Sequence, residues 1–196
     1  MGMRFPLPGR MTALALLASS ACATVPMKTA EHVDLPRFMG DWYVLAHIPA
    51  PAEKDAWNGV ESYQLEAGTK DVVETTFKFR QGGFDAPLET MRPTGYVSEE
   101  DPAAWGMKFY WWQGPFRFEY LVLHVDAEYK ETVVGRSARD YVWVMARTPT
   151  IPDEDWARLT AIVKEAGYDP AKLRRVPQRW GEKPDVSPDE RYAPEK

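Results

Sequence analysis

Cysteine is nearly absent from this chain. Cys22 is the only one in 196 residues, so no intrachain disulfide can support the fold. Basic charge is also short. Lys and Arg number 24 against 29 Asp and Glu, a net charge of −5. That balance argues against a nucleic-acid partner, which requires a basic face. Histidine is scarce, and His32, His47 and His124 are too scattered for metal-ligand spacing. No Gly-x-Ser-x-Gly elbow and no phosphate-binding loop occur. Beyond the first two dozen residues, no run is apolar for the ~20 residues that a spanning helix needs. What is present is 44% hydrophobic and 13% aromatic. That is enough for one good core, not two.

The first residues read as a segment apart. Arg4 and Arg10 supply a positive start, Met11 to Ala18 an apolar stretch, and Ser19-Ser20-Ala21-Cys22 follows. This is the layout of an export signal over residues 1–22. Cys22 stands where bacterial lipoprotein processing would attach lipid, although Ser19 replaces the usual branched apolar residue. Lipidation is the favoured reading; ordinary cleavage after Ala23 is the alternative, since Ala21 and Ala23 are also small. The first route gives a lipid-anchored protein facing the periplasm. It would lie at the outer membrane, because Ala23 is not the Asp that retains lipoproteins at the inner one. The second gives a soluble periplasmic protein. Stable anchoring would take more than one acyl chain. Residues 23–36 form a short polar tether.

The rest of the chain is organised around Gly40-Asp41-Trp42-Tyr43. A glycine and a turn-forming aspartate open a β-prone run in which Trp42, Val44, Ala46 and Ile48 alternate. A Trp at the mouth of that strand can plug one end of a closed sheet. Further strands are expected near 59–65, 71–80, 94–98, 107–112, 116–125, 132–135 and 141–147. The third is informative: Val73, Thr75, Phe77 and Phe79 fall on one face, opposite Glu74, Thr76, Lys78 and Arg80. Pro36 and Gly40 bracket a possible helical turn before the first strand. Eight short strands with regular turn signals predict an all-β antiparallel barrel or sandwich.

The period then changes. Thr150 is placed as a helix N-cap, and Trp156, Leu159, Val163 and Ala166 share one helical face before Gly167. One amphipathic helix after eight strands must pack outside the sheet. A short last strand is expected at 173–176, and the Pro-rich, charged residues 178–196 read as a disordered tail. The barrel and helix thus span 37–177.

Three motifs in order give a resemblance. Gly40-Asp41-Trp42-Tyr43, then Asp126-Ala127-Glu128-Tyr129, then Arg147 in Asp140–Thr150 are similar to the three signatures of the lipocalin family. Gly114-Pro115-Phe116 is similar to its bacterial outer-membrane lipoprotein subgroup, which includes relatives of apolipoprotein D. The resemblance covers about residues 33–180. It implies an eight-stranded up-and-down barrel with one C-terminal helix outside. It also implies a binding protein rather than an enzyme. The ligand would be a fatty acid or lysophospholipid, stored or carried in the bacterial cell envelope, with no cofactor or metal and a monomeric or homodimeric state. A lipid-modifying enzyme or isomerase on the same fold is the alternative.

Strand parity gives a candidate ligand lining: Val44, Ala46, Phe77, Phe79, Met107, Phe109, Trp111, Leu121, Leu123, Trp143 and Met145. Phe116 and Arg117 are added at the open end, Arg117 as a partner for a phosphate or carboxylate head. Trp57, Phe84, Arg136 and Arg139 fall in loops of the same end. Trp42, Asp126, Tyr129 and Arg147 are expected to form a structural cluster at the closed end. On this parity His47 points outward, and His124 opposes the inward face of its strand.

Overall fold

The computed structural model describes residues 26–110 and 113–180. Residues 1–25, with the expected export signal and Cys22, and residues 111–112 and 181–196, with Trp111 among them, lie outside the described residues.

The chain enters through one helical turn, α1 (Leu35–Phe38), capped by the Asp34 carboxylate accepting from Arg37 N–H at 3.3 Å. The strands follow: β1 (Gly40–Ile48), β2 (Ala56–Leu65), β3 (Val72–Gln81), β4 (Leu88–Met91), β5 (Thr94–Val97), β6 (Ala104–Lys108), β7 (Phe118–Val125), β8 (Glu131–Gly135) and β9 (Val142–Ala146). Each pairs antiparallel with the next, except that β3 pairs with both β4 and β5. Pro93, which has no N–H to donate, separates β4 from β5, so the two are one bent stave. β9 returns to β1 from Tyr43↔Ala146 to Ile48↔Val142 and closes an eight-stave barrel. Helix α2 (Asp153–Glu165) follows, then β10 (Arg174–Arg175).

Helix α2 packs outside the barrel. Leu159 and Val163, both fully buried, meet Ala46, Leu121, Leu123, Val133, Val142 and Val144. The helix begins at Asp153, later than Thr150, and Asp153, Glu154 and Asp155 occupy its positive first turn. Thr150 caps nothing there; its carbonyl accepts from the Thr148 hydroxyl at 2.7 Å. Tyr168, just past the helix, fixes the β8–β9 hairpin. Its hydroxyl accepts from Arg136 N–H at 2.7 Å and lies 2.9 Å from the Arg136 and Tyr141 carbonyls.

The residues after β10 differ from expectation. Residues 178–180 are not loose. β1 and β2 pair only from Gly40↔Tyr63 to Tyr43↔Val60, and the two strands then part. The C-terminal segment fills the gap. Val176 N–H donates to the Leu45 carbonyl at 2.9 Å, and Asn58 N–H to the Pro177 carbonyl at 2.9 Å. The Gln178 amide donates to the Val44 carbonyl on one side, at 2.7 Å, and the Gly59 carbonyl on the other, at 3.3 Å. Trp180 then stacks edge-on against Tyr43, 5.4 Å between centroids. These contacts satisfy strand carbonyls that would otherwise lose their partners. Gln178→Ala is expected to cost about 1 kcal/mol in denaturant unfolding, the loss of one side-chain bridge. An unchanged unfolding midpoint would show that the seam holds without it.

Candidate functional site

The barrel interior divides into a filled half and a hollow half. At the end where β1 starts, Phe38, Trp42, Tyr63, Trp105 and Tyr120 pack ring against ring, with neighbouring centroids 5.1 to 6.4 Å apart. Trp42 is fully buried and its indole N–H donates to the Phe38 carbonyl at 2.8 Å.

Arg147 closes that end from outside, its guanidinium carbon 3.7 Å from the Trp42 ring. It donates to the carbonyls of Tyr129, Asp41, Arg37, Phe38 and Met39 at 2.8 to 3.2 Å. Gly40, at φ +90, leaves room for this guanidinium. Asp126 ties the β7–β8 turn by accepting from Glu128, Lys130 and Glu131 N–H at 2.6 to 3.0 Å. Tyr129, at φ +59, turns its hydroxyl to accept from Asp34 N–H at 2.6 Å. The structure thus brings Trp42, Asp126, Tyr129 and Arg147 into one structural cluster.

The other half holds a cavity of about 230 Å³. Phe77, Met91, Met107, Phe109, Phe118 and Trp143 form its apolar wall, and the 3-10 turn Pro51–Glu53 lies across it. Arg136 and Tyr141 stand at its rim. Arg136 is paired to Asp140 at 2.9 Å, and its guanidinium lies 5.8 Å from the Phe118 ring.

Of the parity-derived lining, Phe77, Met107, Phe109 and Trp143 face this cavity. Val44, Phe79 and Met145 point inward but are fully buried in the core. Five assignments are corrected. Ala46 faces out against α2, because a bulge between Val44 and Ala46 reverses the parity of β1. Leu121 and Leu123 also face α2, and Tyr120 and Val122 point inward instead. An apolar alternation cannot say which face of β7 is inside when a helix buries the outer one. Arg117 lies outside, 3.7 Å over the Tyr96 ring, where Gly106 leaves space: a Cβ there would meet Arg117 Cδ at 2.8 Å. Phe116 is 77% exposed and lines nothing.

The β1 bulge also turns His47 inward, where it is fully buried. Burial, then the Arg174 charge, pushes its pKa down to about 4, so the ring is neutral. His124 lies on the outer side, its Nε2 3.5 Å from Arg158 of the helix.

Two buried carboxyls are the main feature that parity missed. Glu53 and Glu61 both line the cavity and are only 3% and 9% exposed. Glu53 accepts from Trp143 Nε1 at 2.8 Å and from Ala50 N–H at 3.2 Å. Glu61 meets the hydroxyls of Tyr63 and, at 3.4 Å, Tyr120. Burial pushes Glu53 up to about 7. Burial and then the Glu53 charge push Glu61 up to about 8. Tyr120 is raised well above the usual phenol range by burial and by Glu61. Among the described residues, no group of His, Cys, Asp and Glu is arranged to hold a metal.

The sequence pattern of the family described as "Lipocalin-like domain" matches residues 33–178. The chain belongs to the lipocalin family. This lipocalin is 29% identical over 181 residues to temperature-induced lipocalin-1 of Arabidopsis thaliana, covering 86% of this chain and 89% of the relative. It is 28% identical over 176 residues to the outer membrane lipoprotein Blc of Escherichia coli K12, covering 88% and 96%. Among solved structures, insecticyanin from the tobacco hornworm Manduca sexta superimposes with a TM-score of 0.61 at 14% identity, over 80% and 85% of the two chains. That likeness concerns the fold alone. Family and cavity together make this lipocalin a binder of small hydrophobic ligands.

Proposed function

We propose that this lipocalin holds the acyl chain of a fatty acid or lysophospholipid in its cavity, for storage or transport in the bacterial cell envelope. The observation that carries this is the hollow with apolar walls beneath the Pro51–Glu53 turn. Phe77, Met107, Phe109, Phe118 and Trp143 are the residues that contact the chain. An anionic head sits at the rim beside Arg136, the place first given to Arg117. Likeness to a protein named outer membrane lipoprotein supports a lipid anchor at Cys22 and a position at the outer membrane. No helix among the described residues is long and apolar enough to cross a membrane. Binding without turnover is favoured by likeness to relatives named as a lipocalin and as an outer membrane lipoprotein.

The cavity volume sets a limit. At about 30 Å³ per water-sized group, 230 Å³ holds roughly eight. Each buried CH₂ contributes about 0.8 kcal/mol, or about fourfold in affinity. Affinity for saturated fatty acids is therefore expected to rise about fourfold per carbon and to flatten near a chain of roughly eight. Isothermal calorimetry across the chain-length series measures it. Affinity independent of chain length would overturn the reading. Native mass spectrometry of protein taken from its own envelope then identifies the head group.

A further inference from the structure

We propose that Glu53 and Glu61 make the hollow a binding site for an organic ammonium with a short aliphatic tail. The inference rests on the cavity's accepting an aliphatic chain, and it adds a charge preference opposite to that of the rim.

The geometry is that of an enclosed site, not of a solvated acidic patch. Each carboxyl is more than nine-tenths buried and lines the same hollow. Each uses one oxygen and leaves the other free. Among the described residues, Glu53 accepts its hydrogen bonds through Oε1 and Glu61 through Oε2. Glu53 Oε2 and Glu61 Oε1 take no part in these bonds, and neither is a sealed polar atom without a partner. A carboxyl oxygen that lines a largely apolar hollow is a ready acceptor for a ligand N–H.

The charged and titratable groups around the pair supply no competing cation. From β1 comes His47, neutral, with Nδ1 3.9 Å from Glu53 and no hydrogen-bond partner. Arg174, beyond His47, is paired to Asp55 at 2.6 Å. From β2 and β7 come the phenols of Tyr63 and Tyr120, together with Glu119, which accepts from Ser137. From the β8–β9 end come Tyr141 and Arg136, the latter paired to Asp140. The walls from β3, β4 and β6 contribute Phe77, Met91 and Met107.

An ammonium entering this hollow meets two carboxyls that hold protons only because nothing pays for their charge. Its arrival favours the ionised form, so one or both protons leave for solvent while the N–H groups take up the free oxygens. The rings of Trp143, Tyr120 and Phe77 line the same hollow, within which a cation can be drawn to an aromatic face. A carboxylate placed head-first would meet only acids and phenols.

The test uses the full chain and three probes of equal tail length: octylamine, octanol and octanoate. Isothermal calorimetry at pH 7 in two buffers of different ionisation enthalpy reads affinity and proton release together. Octylammonium is expected to bind at least tenfold more tightly than the other two and to release protons on binding. The Glu53→Gln/Glu61→Gln double variant is expected to lose that preference and the proton release while still binding octanol, which shows that it is folded. Equal affinities for amine and alcohol, or an amine preference that survives in the double variant, would overturn the proposal and leave the lipid reading standing. Failure of all three probes to bind would overturn both.

Discussion

Glu61→Gln is expected to abolish most of a steep loss of stability that the parent suffers between pH 5 and pH 9. The Glu61 carboxyl titrates near 8 in the fold against an ordinary 4.5, chiefly because burial disfavours its charge, and next because Glu53 lies close by. Between those values the folded chain keeps a proton that the unfolded chain has released. The folded state binds more protons, so stability falls as pH rises from 4.5 and the loss is complete above 8. At about 1.4 kcal/mol per unit, the loss from this one group is roughly 5 kcal/mol. Glu53, raised to about 7, acts in the same direction over a narrower window. His47 acts in the opposite one. Its pKa is depressed to about 4, so its contribution grows as pH rises from 4 to 6.5. That term is common to parent and variant and cancels in their difference. Gln has nearly the shape of Glu and no charge to desolvate. The variant should match the parent near pH 5 and melt some 10 to 20 °C above it at pH 9, at 2 to 4 °C per kcal/mol. Thermal melts of both proteins at five pH values give the answer. Parallel curves would mean that Glu61 ionises freely in the folded protein.

That carboxyl also shows where reading a sequence reaches its limit. β3 was legible because its inner face, with Val73, Phe77 and Phe79, is apolar and its outer one polar. β2 was not. Its inner positions are Gly59, Glu61 and Tyr63, while Val60 on the outer face is buried against Tyr43, Leu45 and Ala146. A polar interior broke the alternation on one side, and close packing broke it on the other. β7 failed in part for the second reason, since α2 buries Leu121 and Leu123 to 7% and 9% exposure, close to the fully buried Val122. Bulges in β1 and β7 add reversals that no constant period can follow. The closed end was readable because its residues act through short-range contacts that their types announce. An Asp at a turn takes backbone N–H groups, and a planar guanidinium takes carbonyls and a ring. Gln178 carried no such signal. A lone amide in a Pro-rich, charged stretch gives no sign that two strands will part to receive it.

Replacing Arg147 by Ala is expected to destabilise the protein by about 2 to 4 kcal/mol, the cost of leaving several part-buried carbonyls without their shared donor. The size follows from what would be left behind. Five backbone carbonyls, from Arg37 to Asp41 on one side and Tyr129 on the other, share this one guanidinium. Trp42 would also lose the cation over its ring. Burial already lowers the Arg147 pKa to about 10, and the charge is kept because these acceptors, with Asp41 and Asp126 nearby, replace its water. Arg147→Lys separates charge from geometry. An ammonium has three donors on a flexible stem and cannot reach carbonyls spread over α1, β1 and the β7–β8 turn, so most of the loss should remain. The cavity lies in the opposite half of the barrel, beyond the packed rings of Phe38, Tyr63 and Trp105. Chain-length dependence of fatty-acid binding, measured well below the variant's melting point, should therefore match the parent. A variant that melts with the parent yet no longer binds would move Arg147 from the scaffold to the binding site.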